Sequence, residues 1–315
     1  MHFLVTGGAG FIGSNIAEAL ISRGHSVRVL DNFSSGKKEN LQFAYGLRKN
    51  RFQLIRGDIR DKDTCHKACQ GIDYVLHHAA LRSVPGSIKE PQIYNDVNIN
   101  GTLFMLQAAF KKGVRRFVFA SSSSVYGDIA AFPEKECFLP DPISPYALTK
   151  LTGEYYCRIF SVNWGLETVI LRYFNVFGPK QALDDEYAVV VPKFINCLLA
   201  GKNPPIFGNG KQSRDFIYIE NVVQANILAS FKQGIKTGVF NIASGKDQTV
   251  LQLLSALNRI TGQDIKPSFL PKRPGDIFKT RADISQANKL LGYRPKVNFR
   301  EGLHRTVDYM RSQVS

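Results

Sequence analysis

The chain of 315 residues has no apolar run near the roughly 18 residues that would cross a bilayer. Its opening, MHFLVTGGAG, has neither a basic leader nor an apolar h-region. Secretion and membrane insertion are therefore not expected, and a cytoplasmic location is. Cysteine is sparse. The five present are an odd number scattered over a long chain, which argues against a disulfide framework and fits reduced thiols. Cys65 and Cys69 stand one helical turn apart around His66, but no second ligand pair at metal spacing accompanies them, so no metal is expected. Acidic residues are short, 26 against 41 Lys and Arg, leaving a net charge of +15. The bases are dispersed in pairs such as Lys37-Lys38 and Arg115-Arg116, without a basic run interleaved with aromatics. A phosphate-bearing small substrate accounts for that balance better than nucleic acid does. Internal repeats, low-complexity tracts and obvious linkers are also missing.

What is present has the order of an α/β protein. Short β-branched runs at Phe3–Thr6, Ser26–Leu30, Phe52–Arg56, Tyr74–His77, Arg116–Ala120 and Glu167–Leu171 alternate with amphipathic stretches at Ile12–Arg23, Asp61–Cys69, Asn98–Lys112 and Pro145–Val162. That alternation predicts a parallel sheet covered by helices on both faces. After about residue 175 proline and glycine become denser, as in GKNPPIFGNGK, and a smaller, loop-rich substrate-binding part is expected.

The first strand runs into TGGAGFIGSNIAEAL. Gly7, Gly10 and Gly13 allow a sharp turn, a close approach to a pyrophosphate and tight packing of the helix on the strand. The following helix aims its N-terminal amides at the anion. Asp31 ends the second strand, where a carboxylate accepts from both hydroxyls of an adenosine ribose; this argues for NAD rather than NADP. Asp58, in GDIRD after the third strand, is placed to meet the adenine edge. The expected architecture is a Rossmann-type doubly wound parallel sheet with a smaller mixed α/β domain. Residues 1–174, helped by 215–243, would bind the dinucleotide, and 175–214 with 244–315 the substrate.

SPYALTK, residues 144–150, sets Tyr146 and Lys150 one helical turn apart behind Pro145, so both emerge on one helix face. A cation beside a phenol favours the phenolate. Moving a tyrosine from about 10 to near 7 takes roughly 4 kcal/mol, which an ammonium and a second positive charge can supply in a partly dry site. Tyr146 is then a usable general base.

TGGAGFIG, Asp31, Asp58, HHAA (His77–Ala80), SSSSVYG (Ser121–Gly127) and Tyr146-x-x-x-Lys150 together resemble the extended short-chain dehydrogenase/reductase superfamily, specifically its NAD-dependent nucleotide-sugar epimerases. The resemblance covers essentially the whole chain and is nearest the UDP-N-acetylglucosamine 4-epimerase branch, with LRYFNVFGPKQ, EYAVVVPKFI, SRDFIYIENVVQANILA and RPGD in order. It implies an internal redox cycle through a 4-keto sugar. Tyr146 would take the proton of the sugar 4-hydroxyl, Ser122 would bond the same oxygen, and Lys150 would hold the nicotinamide ribose and depress the Tyr146 phenol. Ser124 matches a position that reaches the substrate, whereas Ser121 and Ser123 read as hydroxyls ending a strand.

The resemblance also implies NAD contacts at Phe11, Ile12, Asn32, Ser34 and Ile59 around the cradle, and at Ala79, Ala80, Arg82, Asn98 and Tyr173 farther along the cleft. For the UDP-sugar it implies Ser83, Asn175, Val190, Phe207 stacked on uracil, and Arg214 and Arg273 on the diphosphate. The 4,6-dehydratases carry an Asp-Glu pair where Ser123-Ser124 stands, and the UDP-xylose-forming decarboxylases a glutamate in the same stretch; neither acid is here. UDP-glucuronate 4-epimerases tend to have threonine where this chain has Asn175. Thr280, three residues before Asp283, matches the position at the sugar C2 substituent, where a bulky tyrosine excludes an acetamido group. Threonine admits it. The expected reaction interconverts UDP-GlcNAc and UDP-GalNAc, with UDP-Glc/UDP-Gal or UDP-glucuronate as alternatives and a non-catalytic NAD-binding protein as a different class. A homodimer is expected through the helices near Asn98–Lys112 and Pro145–Val162, with Leu103, Leu106 and Phe110 as candidate interface or sheet-covering residues.

Overall fold

The computed structural model describes residues 1–129, 131–182, 190–272 and 277–313. Strands β1 (His2–Thr6), β2 (Ser26–Asp31), β3 (Phe52–Arg56), β4 (Tyr74–His77), β5 (Arg116–Ser122) and β6 (Glu167–Tyr173) belong to the main sheet. The small strands β7 (Asn175–Phe177), β8 (Pro205–Phe207) and β9 (Ser213–Tyr218) follow, and β10 (Thr237–Ile242) returns to the main sheet before β11 (Asp247–Thr249) and β12 (Ser268–Leu270). The seven-stranded sheet has the order β10-β6-β5-β4-β1-β2-β3, parallel throughout. Its central strands read as near-continuous apolar runs because both faces are covered, whereas the edge strand β3 is largely exposed. β5 and β6 are buried at nearly every position.

From β1 the chain goes outward to β2 and β3, then crosses back to β4 on the other side. That reversal opens a crevice at the carboxyl ends of β1 and β4, the place where doubly wound sheets bind ligands. Helices Phe11–Ser22 and Ile219–Phe231 pack together on one face, and Lys62–Cys69, Gly101–Lys111 and Pro145–Trp164 on the other. The remaining strands form a mixed sheet β11-β9-β7 and a parallel pair β12-β8, against which helices Val190–Leu199, Val250–Thr261 and Phe299–Ser312 pack. One apolar cluster extends from Phe3 and Ile16 to Phe194, Leu253 and Leu303, so the smaller sheets are built onto the large one through shared core.

Three boundaries differ from the expected ones in ways that matter. β5 and β6 each run two residues farther, because the pairs Ser121 with Arg172 and Ser122 with Tyr173 continue the register. Polar side chains there mask the strand from an apolar pattern. The helix expected from Asn98 begins upstream at Pro91 and passes through a π-helical turn, Asn95–Asn100, before continuing as Gly101–Lys111. The wider turn interrupts the regular ladder and carries Asn98 inside it.

Candidate active site

A cleft of about 840 Å³ opens at the carboxyl ends of the parallel strands. Its first part is the glycine turn. Gly7 adopts φ +66°, and a Cβ on it would lie 2.8 Å from the Ala79 amide nitrogen. A Cβ on Gly13 would lie 2.2 Å from the Gly7 carbonyl oxygen, so only glycine lets helix Phe11–Ser22 sit this close to β1. That helix has no acidic residue in its first turn, which leaves its amide end attractive to phosphate. Phe11 and Ile12 line the cleft beside it.

Asp31 closes β2 and is buried; its Oδ2 accepts from the Ala9 amide at 2.9 Å and its Oδ1 from the Phe33 amide at 2.8 Å. Burial pushes its carboxyl up, and the two amide bonds oppose that shift. One bond per oxygen leaves lone pairs for a pair of hydroxyl donors. Asn32 donates to Asp58 Oδ2 at 3.0 Å, and Arg60 forks onto both Asp58 oxygens, holding that carboxyl down at about 2. Ser34, Ile59, Ala79, Ala80 and Arg82 line the same wall, and Ser83 lines it while capping helix Val84–Lys89 through the Gly86 amide. A cradle without room for a Cβ and an anchored carboxylate at the end of β2 fit NAD.

At the far end of the crevice, Ser122 ends β5 and its Oγ accepts from the Ser124 amide at 3.2 Å and the Ser124 hydroxyl at 2.9 Å. Helix Pro145–Trp164 starts where Ser144 accepts from the Ala147 amide and Pro145 presets the first turn. This brings Tyr146 and Lys150 into the cleft with Ser122. Burial pushes the Tyr146 phenol above its ordinary value, opposed by a hydrogen bond with Ser122 and by the Arg82 charge. Lys150 Nζ donates to the Ala120 carbonyl at 2.8 Å and lies 5.2 Å over the Phe119 ring. A buried ammonium needs an acceptor, and the β5 backbone supplies one; burial brings the Lys150 ammonium down to about 8.

Asn98 is buried behind Leu81, which lines the cleft. It is not among the cleft-lining residues: its Oδ1 accepts from the Leu81 amide at 2.8 Å, and its Nδ2 donates to the Leu81 carbonyl and Thr149 Oγ1. Its amide is spent bracing the 79–82 segment against the Tyr146 helix. Tyr173 does line the cleft, its hydroxyl held by His78 Nε2 at 2.9 Å and Asn226 Nδ2 at 2.8 Å. His78 was not anticipated, although it lies within HHAA. Nor was the ion pair beneath: Arg172 forks onto Glu154 at 2.9 and 2.7 Å, Ser121 donates to the same carboxylate, and the guanidinium lies 4.7 Å over the Tyr126 ring. It locks the ends of β5 and β6 to the helix that carries Lys150.

The outer part of the cleft gathers Ser124, Asn175, Val190, Phe207, Arg214 and Thr280. Asn175 Nδ2 lies 3.4 Å from Thr280 Oγ1, and the Thr280 amide donates to the Ser213 carbonyl at 3.2 Å. Arg273 lies outside the described residues. Three lysines not anticipated, Lys37, Lys180 and Lys193, line the cleft as well, so seven Lys and Arg face it against two aspartates among the described residues. Such a lining suits a ligand rich in phosphate. Among the described residues no group of three His, Cys, Asp or Glu is placed to hold a metal, and no helix is long and apolar enough to cross a membrane.

The model of a family described as "NAD dependent epimerase/dehydratase family" matches residues 3–243. The structure of UDP-N-acetylglucosamine 4-epimerase from Methanobrevibacter ruminantium M1, in complex with UDP-N-acetylmuramic acid, is 42% identical over 99% of this chain and 98% of that one, with TM-score 0.93. UDP-glucose 4-epimerase of Thermotoga maritima with UDP-glucose is 40% identical over the full length of both, also at 0.93. UDP-glucuronic acid 4-epimerase from Bacillus cereus, with UDP-glucuronic acid and NAD, is 37% identical over 99% and 100% of the two chains, at 0.91. The cradle, the Ser-Tyr-Lys cluster and these full-length likenesses agree: the chain belongs to the NAD dependent epimerase/dehydratase family, as an NAD-dependent UDP-sugar 4-epimerase, an isomerase.

Proposed function

We propose that this epimerase interconverts UDP-GlcNAc and UDP-GalNAc, with UDP-Glc/UDP-Gal as a second activity. The observation that carries the sugar choice is Thr280, a small residue in the cleft wall within reach of Asn175. Bound NAD supplies the hydride acceptor and donor, so the inversion needs no net oxidant. Tyr146 removes the proton from the 4-hydroxyl, Ser122 bonds the same oxygen, and Lys150 offers its ammonium to the nicotinamide ribose. Arg214, with Phe207 on the uracil, holds the nucleotide while the 4-keto sugar turns to present its other face. The same phenol returns the proton.

The test is to incubate the purified protein with UDP-GlcNAc, and separately with UDP-Glc, without added NAD, and identify products by proton NMR. Conversion of the acetylated sugar at a rate at or above that of the plain one supports the reading; conversion of UDP-Glc alone removes it. Thr280→Tyr is expected to cut kcat/KM for the acetylated sugars by about 10- to 100-fold, the cost of overfilling a packed wall by roughly 1–3 kcal/mol, and to spare the plain sugars. Equal losses on both would show that Thr280 does not face C2.

The same reading includes a homodimer. Leu106 is fully buried and Leu103 packs with it, so both cover the sheet. Phe110 remains exposed beside a heptad-spaced face of the next helix, Leu148, Tyr155, Ile159 and Val162. A second copy of this face is the proposed occupant. Val162→Arg should then halve the mass seen by light scattering, and an unchanged mass would point to another interface.

A further inference from the structure

The wall that carries Thr280 is held by two buried carboxylates with no part in the chemistry above. Glu134 lies in the loop joining Ser122 to Tyr146 and is 3% exposed; Asp215, on β9, is fully buried. Every backbone amide from Thr280 to Asp283 has an acceptor. Thr280 N donates to the Ser213 carbonyl at 3.2 Å, and Arg281 N to Glu134 Oε2 at 2.7 Å. Ala282 N donates to Asp215 Oδ2 at 3.3 Å, and Asp283 N to the Glu134 carbonyl at 2.8 Å. The Glu134 amide donates back to the Arg281 carbonyl at 2.8 Å, which makes the strap reciprocal.

The anchors are themselves anchored. Asp215 also accepts from the Ser244 amide and hydroxyl at 2.8 and 2.7 Å and from the Gly245 amide at 3.0 Å. Asn241 donates to the Glu134 and Asp283 carbonyls at 3.0 and 3.2 Å and accepts from the Tyr126 hydroxyl at 2.7 Å. Among the described residues the strand pairing of this segment is limited to isolated bridges, Glu134 with Ala282 and Ser213 with Lys279, so side-chain carboxylates do what a sheet ladder does elsewhere. Burial pushes Glu134 up to about 7 and Asp215 up to about 6. Acids kept where their charge is costly, bonded to the amides next to a specificity position, point to a role in that position.

We propose that Glu134, with Asp215 behind it, is a positioning residue that sets the width of the sugar pocket at C2 by holding the Thr280 wall rigid against the loop that leads to Tyr146. The proposal rests on the reading of Thr280 as the C2 wall. An acetamido group presses on that wall, whereas a hydroxyl does not reach it, so a loosened wall changes the discrimination between the two sugars.

The experiment is calorimetric titration of the NAD-loaded enzyme with UDP-GlcNAc, UDP-Glc and UDP, for the natural chain, Glu134→Ala and Glu134→Gln, with NAD content checked by absorbance. Glu134→Ala should raise Kd for UDP-GlcNAc about tenfold, the effect of one lost bond to a carboxylate, and leave UDP unchanged and UDP-Glc within about threefold. Glu134→Gln should restore the natural ratio, because its side-chain carbonyl still accepts from the Arg281 amide. Equal weakening of both sugars, weakening of UDP itself, or failure of glutamine to rescue would each reduce Glu134 to a structural support and overturn the proposal. Should Glu134→Ala not fold, Glu134→Asp, one methylene short of the Arg281 amide, carries the same expectations. These ratios are read whether or not either sugar turns over, so a failure of epimerisation on UDP-GlcNAc is separable from a failure of the wall.

Discussion

Tyr146→Phe is expected to lower kcat by about 10²- to 10⁴-fold, the usual contribution of a positioned acid-base group, while NAD content and UDP affinity stay as they are. The phenol is the group in the cleft that sits with Ser122 and Arg82 at the end of β5, and phenylalanine keeps its shape without its proton. Burial holds the phenol above its ordinary value while Lys150 is brought down to about 8. The signs follow. Raising pH exposes more phenolate and increases the rate; above about pH 8 the Lys150 ammonium is lost as fast as phenolate is gained, so the rate levels. A kcat profile that climbs with pH and levels near 8 is expected, and Lys150→Met should remove that bend. A Tyr146→Phe enzyme within tenfold of the natural rate would sink the assignment of Tyr146 as base.

Gly13→Ala is the second large effect, and it acts on the cofactor. The added Cβ would meet the Gly7 carbonyl oxygen at 2.2 Å and Gly8 Cα at 2.8 Å, both backbone, so no flexible side chain can yield. Gly7 cannot retreat, because the Ala79 backbone stands behind it. The helix must lift from β1, which moves the amides that would grip the pyrophosphate. Overpacking of this kind costs roughly 1–3 kcal/mol or more, so NAD retention should fall at least about tenfold and the melting temperature by several degrees. Gly10→Ala is the control for the packing cost alone: its Cβ would touch only the Gly7 carbonyl, at 3.2 Å, so the melting temperature should change little. Gel filtration followed by the 260 nm to 280 nm absorbance ratio reads NAD content. A Gly13→Ala protein that keeps its NAD would mean the cradle tolerates a helix displaced from the strand.

The dependence of these two predictions on different kinds of information is instructive. Gly7, Gly10 and Gly13 could be read from spacing, because a turn between a strand and a helix is local and its backbone demands are met by one residue type. Six of the seven strands of the main sheet, all but β10, were legible for a related reason: a parallel strand buried on both faces is a short apolar run whatever its neighbours are. The Tyr146 and Lys150 pair was legible as one face of a helix. Where each side chain goes next was not. Lys150 turns to the Ala120 carbonyl, and Asn98 to Leu81 and Thr149, because the acceptors that a buried donor finds come from other elements. Ser122 and Tyr173 gain their positions from strand pairing between residues 51 apart, which no local pattern encodes.

By itself, then, the amino-acid sequence determined the α/β order, the dinucleotide cradle, the aspartate at the end of β2 and the Tyr146 and Lys150 pair, since each is a matter of residue type at short spacing, while Ser122 entered through the resemblance to a family. Only the tertiary structure decided that Leu106 covers the sheet while Phe110 faces out, that Glu154 and Arg172 lock β5 and β6 to the helix of Tyr146 and Lys150, and that Glu134 holds the Thr280 wall from 147 residues away. Those outcomes depend on which distant groups packing brings within hydrogen-bonding reach, and burial makes each such partner obligatory.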